Sequence, residues 1–193
     1  MVPTSLSAER EPEARSSPVL FGTVLFLASE LLFFGGLFAA YFGLRAETTP
    51  WPPAGVHLET GLAAIATLFL LISSFTFHAG VTAGRRGRLG PMRRWIILTF
   101  ALGVGFEGIQ LADYLRIDFG ISSNAYGTMY WAMTGLHGLH VLAGLALMLV
   151  LLGRLTQGAY RDGRVDGPHA ISYYWHFVDV VWIGLFVTLF LLK

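Results

Sequence analysis

The sequence predicts an all-α, polytopic membrane bundle of five transmembrane helices, with the N-terminus inside and the C-terminus outside. Three observations lead there. Of the 193 residues, 54% are apolar and only 13% are charged, about half the ~25% charged share of an ordinary soluble domain. Such a chain lacks the polar surface that a globule needs in water, and lipid removes that need. Five apolar stretches each reach the length of about 20 residues that crosses a ~30 Å hydrocarbon core. The basic residues, finally, are distributed unevenly between the two sets of connecting loops.

The first 17 residues mix Glu9, Glu11 and Glu13 with Arg10 and Arg15, and read as a disordered cytoplasmic tail. The apolar stretch that follows is too long for a signal peptide and has no small-residue cleavage site. Residues 18–193 read as the transmembrane domain. Its helices are expected at about 19–44, 58–82, 95–115, 129–153 and 171–192. In hydrocarbon each backbone N–H and C=O must be satisfied within the protein, so long apolar segments become helices. Barrel strands would show as short alternating runs, which are absent.

The connectors fit this division. The first, Thr48–Gly55, holds Trp51 and three prolines and reads as an ordered loop. The second, Gly84–Arg94, is rich in Arg and Gly. The third, Ile117–Thr128, and the fourth, Arg154–Pro168, are polar. With the N-terminus inside, the inner regions carry Arg10, Arg15, Arg85, Arg86, Arg88, Arg93, Arg94, Arg154, Arg161 and Arg164. The outer regions carry Arg45, Arg116 and Lys193. Cytoplasmic loops concentrate Lys and Arg, so the bias sets the orientation. Trp51, Trp95, Tyr130, Tyr173, Tyr174 and Trp175 lie near segment ends and are expected in the interfacial aromatic belts. Three pairs of small residues four apart, Gly80/Gly84, Ala101/Gly105 and Gly36/Ala40, are candidate points of close helix approach.

Composition also excludes function classes. A net charge of +1 points to no nucleic acid, and the absence of cysteine removes disulfides, thiolate metal ligands and thiol nucleophiles. Soluble-enzyme motifs are missing, and the Gly103–Gly105 repeat sits inside a membrane segment.

Ionisable groups in the hydrocarbon are costly, by about 2.5–3.5 kcal/mol on insertion scales, and they face the protein interior or water. This chain carries Glu30 in the first segment, Glu107 in the third, His137 and His140 in the fourth, and His176 and Asp179 in the fifth. Asp113 is a further candidate near the end of the third. Counted from the inner surface, Glu30, Glu107, His140 and Asp179 fall at comparable depths, roughly 12–20 Å at 1.5 Å per residue, so one polar layer is expected. His137 with His140, and His176 with Asp179, share helix faces by their spacing of three. Several roles fit: hydrogen bonds that fix helix packing, anchorage of lipid headgroups or a partner subunit, heme or metal ligation, or a proton relay through Glu30 and Glu107. Ligation is disfavoured because no two helices present matched histidines. No metal site is assigned to this chain.

At this point the residues themselves resemble a family. The run Tyr173-Tyr174-Trp175-His176-Phe177-Val178-Asp179-Val180-Val181-Trp182 resembles the C-terminal signature of the cytochrome c oxidase subunit III family. Ser29-Glu30-Leu31-Leu32-Phe33-Phe34, Trp51-Pro52-Pro53, Ser73-Ser74-Phe75-Thr76 and Gly135-Leu136-His137-Gly138-Leu139-His140-Val141 are similar to other family segments, in order. Gln110-Leu111-Ala112-Asp113-Tyr114 resembles a Gln-x-x-Glu-Tyr pattern with Asp in place of Glu. The resemblance covers about residues 19–193. Many members have seven helices; this chain is similar to short five-helix bacterial forms, including actinobacterial ones, that lack the first two.

The resemblance implies a non-catalytic subunit III of a heme-copper terminal oxidase, in a bacterial plasma membrane. Heme and copper would sit in subunits I and II, with none in this chain. The subunit would pack on subunit I, bind phospholipid, and support proton uptake and stability of the complex. By motif match Glu30 is the buried carboxylate near lipid, and His137, His140, His176 and Asp179 fall on signature positions as cleft-lining and packing residues. No role is implied for Glu107. The donor is expected to be cytochrome c. A quinol oxidase or a nitric-oxide-reductase-associated relative is the alternative, membership of a larger respiratory supercomplex stays open, and a membrane cytochrome or a small transporter is more remote.

Overall fold

A computed structural model describes residues 18–161, 163 and 165–192; the tail assigned to residues 1–17 lies outside them. The chain forms five long helices: α1 (Pro18–Glu47), α2 (Thr60–Arg85), α3 (Leu89–Tyr114), α4 (Ala125–Thr156) and α5 (Asp166–Phe186). A π-helical turn, Val187–Leu191, continues α5. All five are long and apolar enough to cross a membrane, α5 when taken together with this turn. No strand occurs among the described residues.

Most of the helices overrun the predicted segments. The second connector shrinks from Gly84–Arg94 to the turn Arg86–Arg88, and α4 begins at Ala125 rather than near residue 129. Apolar content marks only the part of a helix that lies in hydrocarbon, whereas the backbone stays helical until something stops it. The stops are local. Gly87 takes a left-handed φ of 68° and Gly158 one of 82°, a conformation that costs glycine little. The start of α4 is set by Asn124, whose side-chain oxygen accepts from the Gly127 N–H at 2.7 Å, a standard N-cap.

α2 and α3 form a hairpin, and α5 packs against α2, α4 and α1. The small pair Gly80/Gly84 supplies the closeness of the hairpin. A Cβ at Gly80 would stand 3.2 Å from Trp95 Cβ, and one at Gly84 would stand 2.6 Å from Met92 Sδ. Gly105 admits Phe69 of α2 in the same way. Ala101 and the pair Gly36/Ala40 do not serve this purpose: they are exposed, with nothing within 4 Å of Gly36. α1 lies at the edge of the bundle and buries Phe34 and Tyr41, supported by Leu27, Leu37 and Leu44. The spacing of 27, 34 and 41 is a heptad stripe, and Gly36 and Ala40 fall off it.

Trp175 of α5 holds the centre together. Its indole is fully buried, donates from Nε1 to Ser73 Oγ of α2 at 2.8 Å, and lies in a seat made by Gly103 of α3 and Gly144 of α4. One side chain thus touches three other helices. The belt expectation fails for this residue and for Tyr130, both wholly buried, and for Tyr174, largely so. Trp95 and Tyr173 remain exposed. Position near a segment end does not settle whether a ring faces lipid or neighbour.

At the far end of α5 the aromatics close over the helix terminus. Trp51 Nε1 donates to Tyr41 Oη at 3.0 Å. The Tyr41 and Tyr126 hydroxyls reach the carbonyls of Thr188 and Leu189, each at 3.4 Å. Carbonyls in a helix's last turn have no intrahelical donor, and here buried tyrosines serve them. This is how the Pro-rich loop containing Trp51 is tied to α1 and α5.

Candidate functional site

The intramembrane polar groups divide into separate sets rather than one connected layer. The first joins α1 to α4. Glu30 Oε2 lies 3.0 Å from His140 Nε2, with 19% and 18% of the two side chains exposed. His140 Nδ1 meets the Leu136 carbonyl at 2.7 Å. A carbonyl can only accept, so Nδ1 carries a proton. A carboxylate also only accepts, so the bond at Nε2 requires a second proton, held on the imidazole or on Glu30. The pair is therefore a proton-holding unit with no formal net charge, which makes it tolerable within the hydrocarbon. Phe34 packs edge-on to His140 at 5.1 Å, and Tyr174 of α5 donates to the His140 carbonyl at 2.9 Å.

Next to this pair an apolar groove of about 540 Å³ runs between α1, α4 and α5. Phe26, Ala146, Leu147, Val150, Ile171 and Tyr174 line it. Tyr174 links the groove to the pair, since its ring lines the one and its hydroxyl bonds the backbone of the other. Phe26 lies one helical turn before Glu30 on α1.

The second set joins α2 to α5. Ser74 donates to Asp179 Oδ2 in a short hydrogen bond, and the same hydroxyl lies 2.8 Å from His176 Nδ1. Ser172 Oγ meets His176 Nε2 at 3.2 Å. His176 and Asp179, which share a face of α5 by their spacing, do not bond each other directly but both meet Ser74 of α2. The third set lies between α3 and α4, where Tyr130 donates to Asp113 at 2.9 Å, both buried.

His137 and Glu107 stand apart from these bonds. His137 is 1% exposed and packs against Phe106 at 5.8 Å and Trp182 at 5.0 Å. Its two ring nitrogens make no hydrogen bond among the described residues. The Glu107 carboxylate lies over Gly138 of α4. His137 and His140 are three apart, yet one looks towards α3 and α5 and the other towards α1. Among the described residues no three His, Asp or Glu side chains gather as a metal-holding group.

Sequence reasoning singled out Glu30, His137, His140, His176 and Asp179, and Asp113 of the third set, but gave no site role to the connecting Ser74 and Ser172, nor to the seat of Trp175. Ser172 had one signal, its place four residues before His176 on the same helix. The Trp175 seat had none, because Gly103 and Gly144 are two of 23 glycines and only the fold singles them out.

Comparison with known proteins agrees with this architecture. Residues 10–193 match the family model for cytochrome c oxidase subunit III. A probable cytochrome c oxidase subunit 3 of Nocardia farcinica is 41% identical over 183 residues, covering 93% of this chain and 90% of that protein. Cytochrome c oxidase subunit 3 of Thermostichus vulcanus is 40% identical over 186 residues, covering 96% and 90%. The corresponding protein of Corynebacterium diphtheriae is 40% identical over 185 residues, covering 93% and 90%. With a match that spans nearly its whole length and a five-helix fold to carry it, the chain belongs to the cytochrome c oxidase subunit III family.

Proposed function

We propose that this chain is the non-catalytic subunit III of a heme-copper terminal oxidase that takes electrons from cytochrome c. The observation that carries the reading is the family match over residues 10–193, with relatives named as cytochrome c oxidase subunit 3. It sits as a multi-pass protein in a bacterial plasma membrane, N-terminus inside, as the arginine bias favours. Heme and copper belong to subunits I and II and not to this chain. Subunit I packs against it, and the outer face of α1, where Leu31, Leu32 and Phe33 are exposed, is left to that subunit or to lipid.

The groove between α1, α4 and α5 takes a phospholipid acyl chain. Its lining is almost wholly apolar and its volume of about 540 Å³ suits a chain laid along the helices. Glu30 and His140 sit beside it as a proton-holding, hydrogen-bonding pair. Together these features support a structural part that steadies its neighbour and lines a lipid site. Its contribution to proton uptake and to the endurance of the complex would be indirect.

The test is purification under mild detergent. The chain should co-purify with heme-bearing subunits, and the separated polypeptide should be colourless. A Soret absorbance that scales with this polypeptide alone would overturn the assignment and favour a membrane cytochrome.

A further inference from the structure

With Asp179 ionised, the hydrogen bonds between α2 and α5 run in one direction. The Ser74 hydroxyl has one proton and donates it to the Asp179 carboxylate. Its oxygen is then free to accept, and His176 Nδ1, 2.8 Å away, is the donor. A neutral imidazole has a single N–H, so Nε2 is left as an acceptor. Ser172 Oγ, at 3.2 Å, supplies that proton. The file therefore reads Ser172 to His176 to Ser74 to Asp179, and each inner member accepts on one side and donates on the other.

The two ends differ. Asp179 is 4% exposed, and its Oδ1 makes no hydrogen bond among the described residues. The other end opens to a groove of about 230 Å³ between α2 and α5. Ser172 and His176 lie on its wall with His78, Arg85, His169 and Tyr173. Arg85 and His169 face each other across its mouth at 3.4 Å. Ser172 and Asp179 are two helical turns apart, so the file spans about 10 Å along α5. On the other flank of α5, Glu30 and His140 are engaged with each other, and His137 packs on Trp182.

We propose that Ser172, His176, Ser74 and Asp179 form a proton relay that loads and unloads the buried Asp179 carboxylate from the α2–α5 groove. On loading, water in the groove gives a proton to the Ser172 oxygen as the Ser172 proton passes to His176 Nε2. The Nδ1 proton moves to Ser74 Oγ, and the Ser74 proton moves to Asp179 Oδ2. The net change is one proton gained by Asp179 and one lost by groove water. Every bond in the file then points the other way, so unloading retraces the path without a ring flip. The device is a reversible proton store, not a through-channel. It rests on the packing of α2 against α5 and does not depend on the oxidase assignment.

Infrared spectroscopy of the full chain, with the subunits that co-purify, tests it in lipid nanodiscs after a rapid pH jump. The carbonyl band of a protonated carboxylic acid should appear, shift with isotope-labelled aspartate, and vanish in Asp179→Asn. Ser74→Ala and His176→Gln should keep the final band but slow its appearance by about tenfold or more, the scale of one lost charge-assisted hydrogen bond in the path. Ser74→Thr, which keeps the hydroxyl, should restore the rate. If Asp179→Asn does not fold, labelled aspartate in the Ser74→Ala background carries the assignment. A band whose rate is unchanged in Ser74→Ala, or no aspartate band at any pH, would overturn the relay and leave a packing clamp. Neither result bears on co-purification with heme subunits, which tests the oxidase reading by itself.

Discussion

The seat of Trp175 yields a prediction with a built-in control. The ring is gripped at three points. A Cβ at Gly144 would lie 2.7 Å from Trp175 Cε3, a Cβ at Gly103 would lie 2.8 Å from Trp175 Cη2, and Nε1 is anchored to Ser73. Two carbons in contact prefer about 3.5–4.0 Å, so either added methyl collides with a ring that has no free direction of retreat. Overpacking of this kind costs about 1–3 kcal/mol. For a chain of this size each kcal/mol lowers Tm by about 2–4 °C. Gly144→Ala and Gly103→Ala should therefore each lower the melting temperature by several degrees, and their costs should not add, because both act on one ring. Tryptophan fluorescence during heating in detergent is the assay; the absence of cysteine rules out thiol-reactive dyes. The control is Gly36→Ala. It meets nothing within 4 Å, and alanine is favoured over glycine in a helix by up to about 1 kcal/mol, so that variant should melt at the native temperature or above. Equal behaviour of Gly144→Ala and Gly36→Ala would refute the seat.

Three further expectations use the same measurement or simple extensions. Asp113→Ala strands the buried Tyr130 hydroxyl and should cost about 1–3 kcal/mol; a double-mutant cycle with Tyr130→Phe should recover a coupling of about 0.5–3 kcal/mol, and a coupling near zero would break the pairing. Tyr41→Phe removes the acceptor for Trp51 Nε1 and should destabilise by about 0.5–1.5 kcal/mol, with faster protease cleavage in the loop between α1 and α2; no change in either would show that loop to be held by other contacts. Glu30→Ala should leave assembly intact but reduce the phospholipid retained on purification or shorten the lifetime of the complex under turnover. Immediate loss of heme reduction in that variant would contradict a non-catalytic role.

Much of the fold was legible because lipid imposes one strong rule. Any segment that crosses the bilayer must be apolar and must satisfy its own backbone, so apolar length reports helices directly, and five were found where five are expected. The family signature in α5 was legible for a different reason: Trp175, His176 and Asp179 are unusual residues to meet together in a membrane helix. The errors fell where apolar length is uninformative. Helix ends are decided by Gly87, Gly158 and Asn124, which no hydropathy profile weighs.

The sequence alone determined that the chain is membrane-embedded, all-helical and a member of its family, because those properties follow from composition and from residues read one by one. Only the tertiary structure decided which polar group meets which. Glu30 on α1 finds His140 on α4, separated by 110 positions in the chain, and Ser74 finds Asp179 across 105. It also decided that His137 and His140 look towards different neighbours, and that two glycines among many receive the central indole. Such choices depend on how helices rotate and cross, and that is set by the summed packing of many side chains. No single residue encodes it.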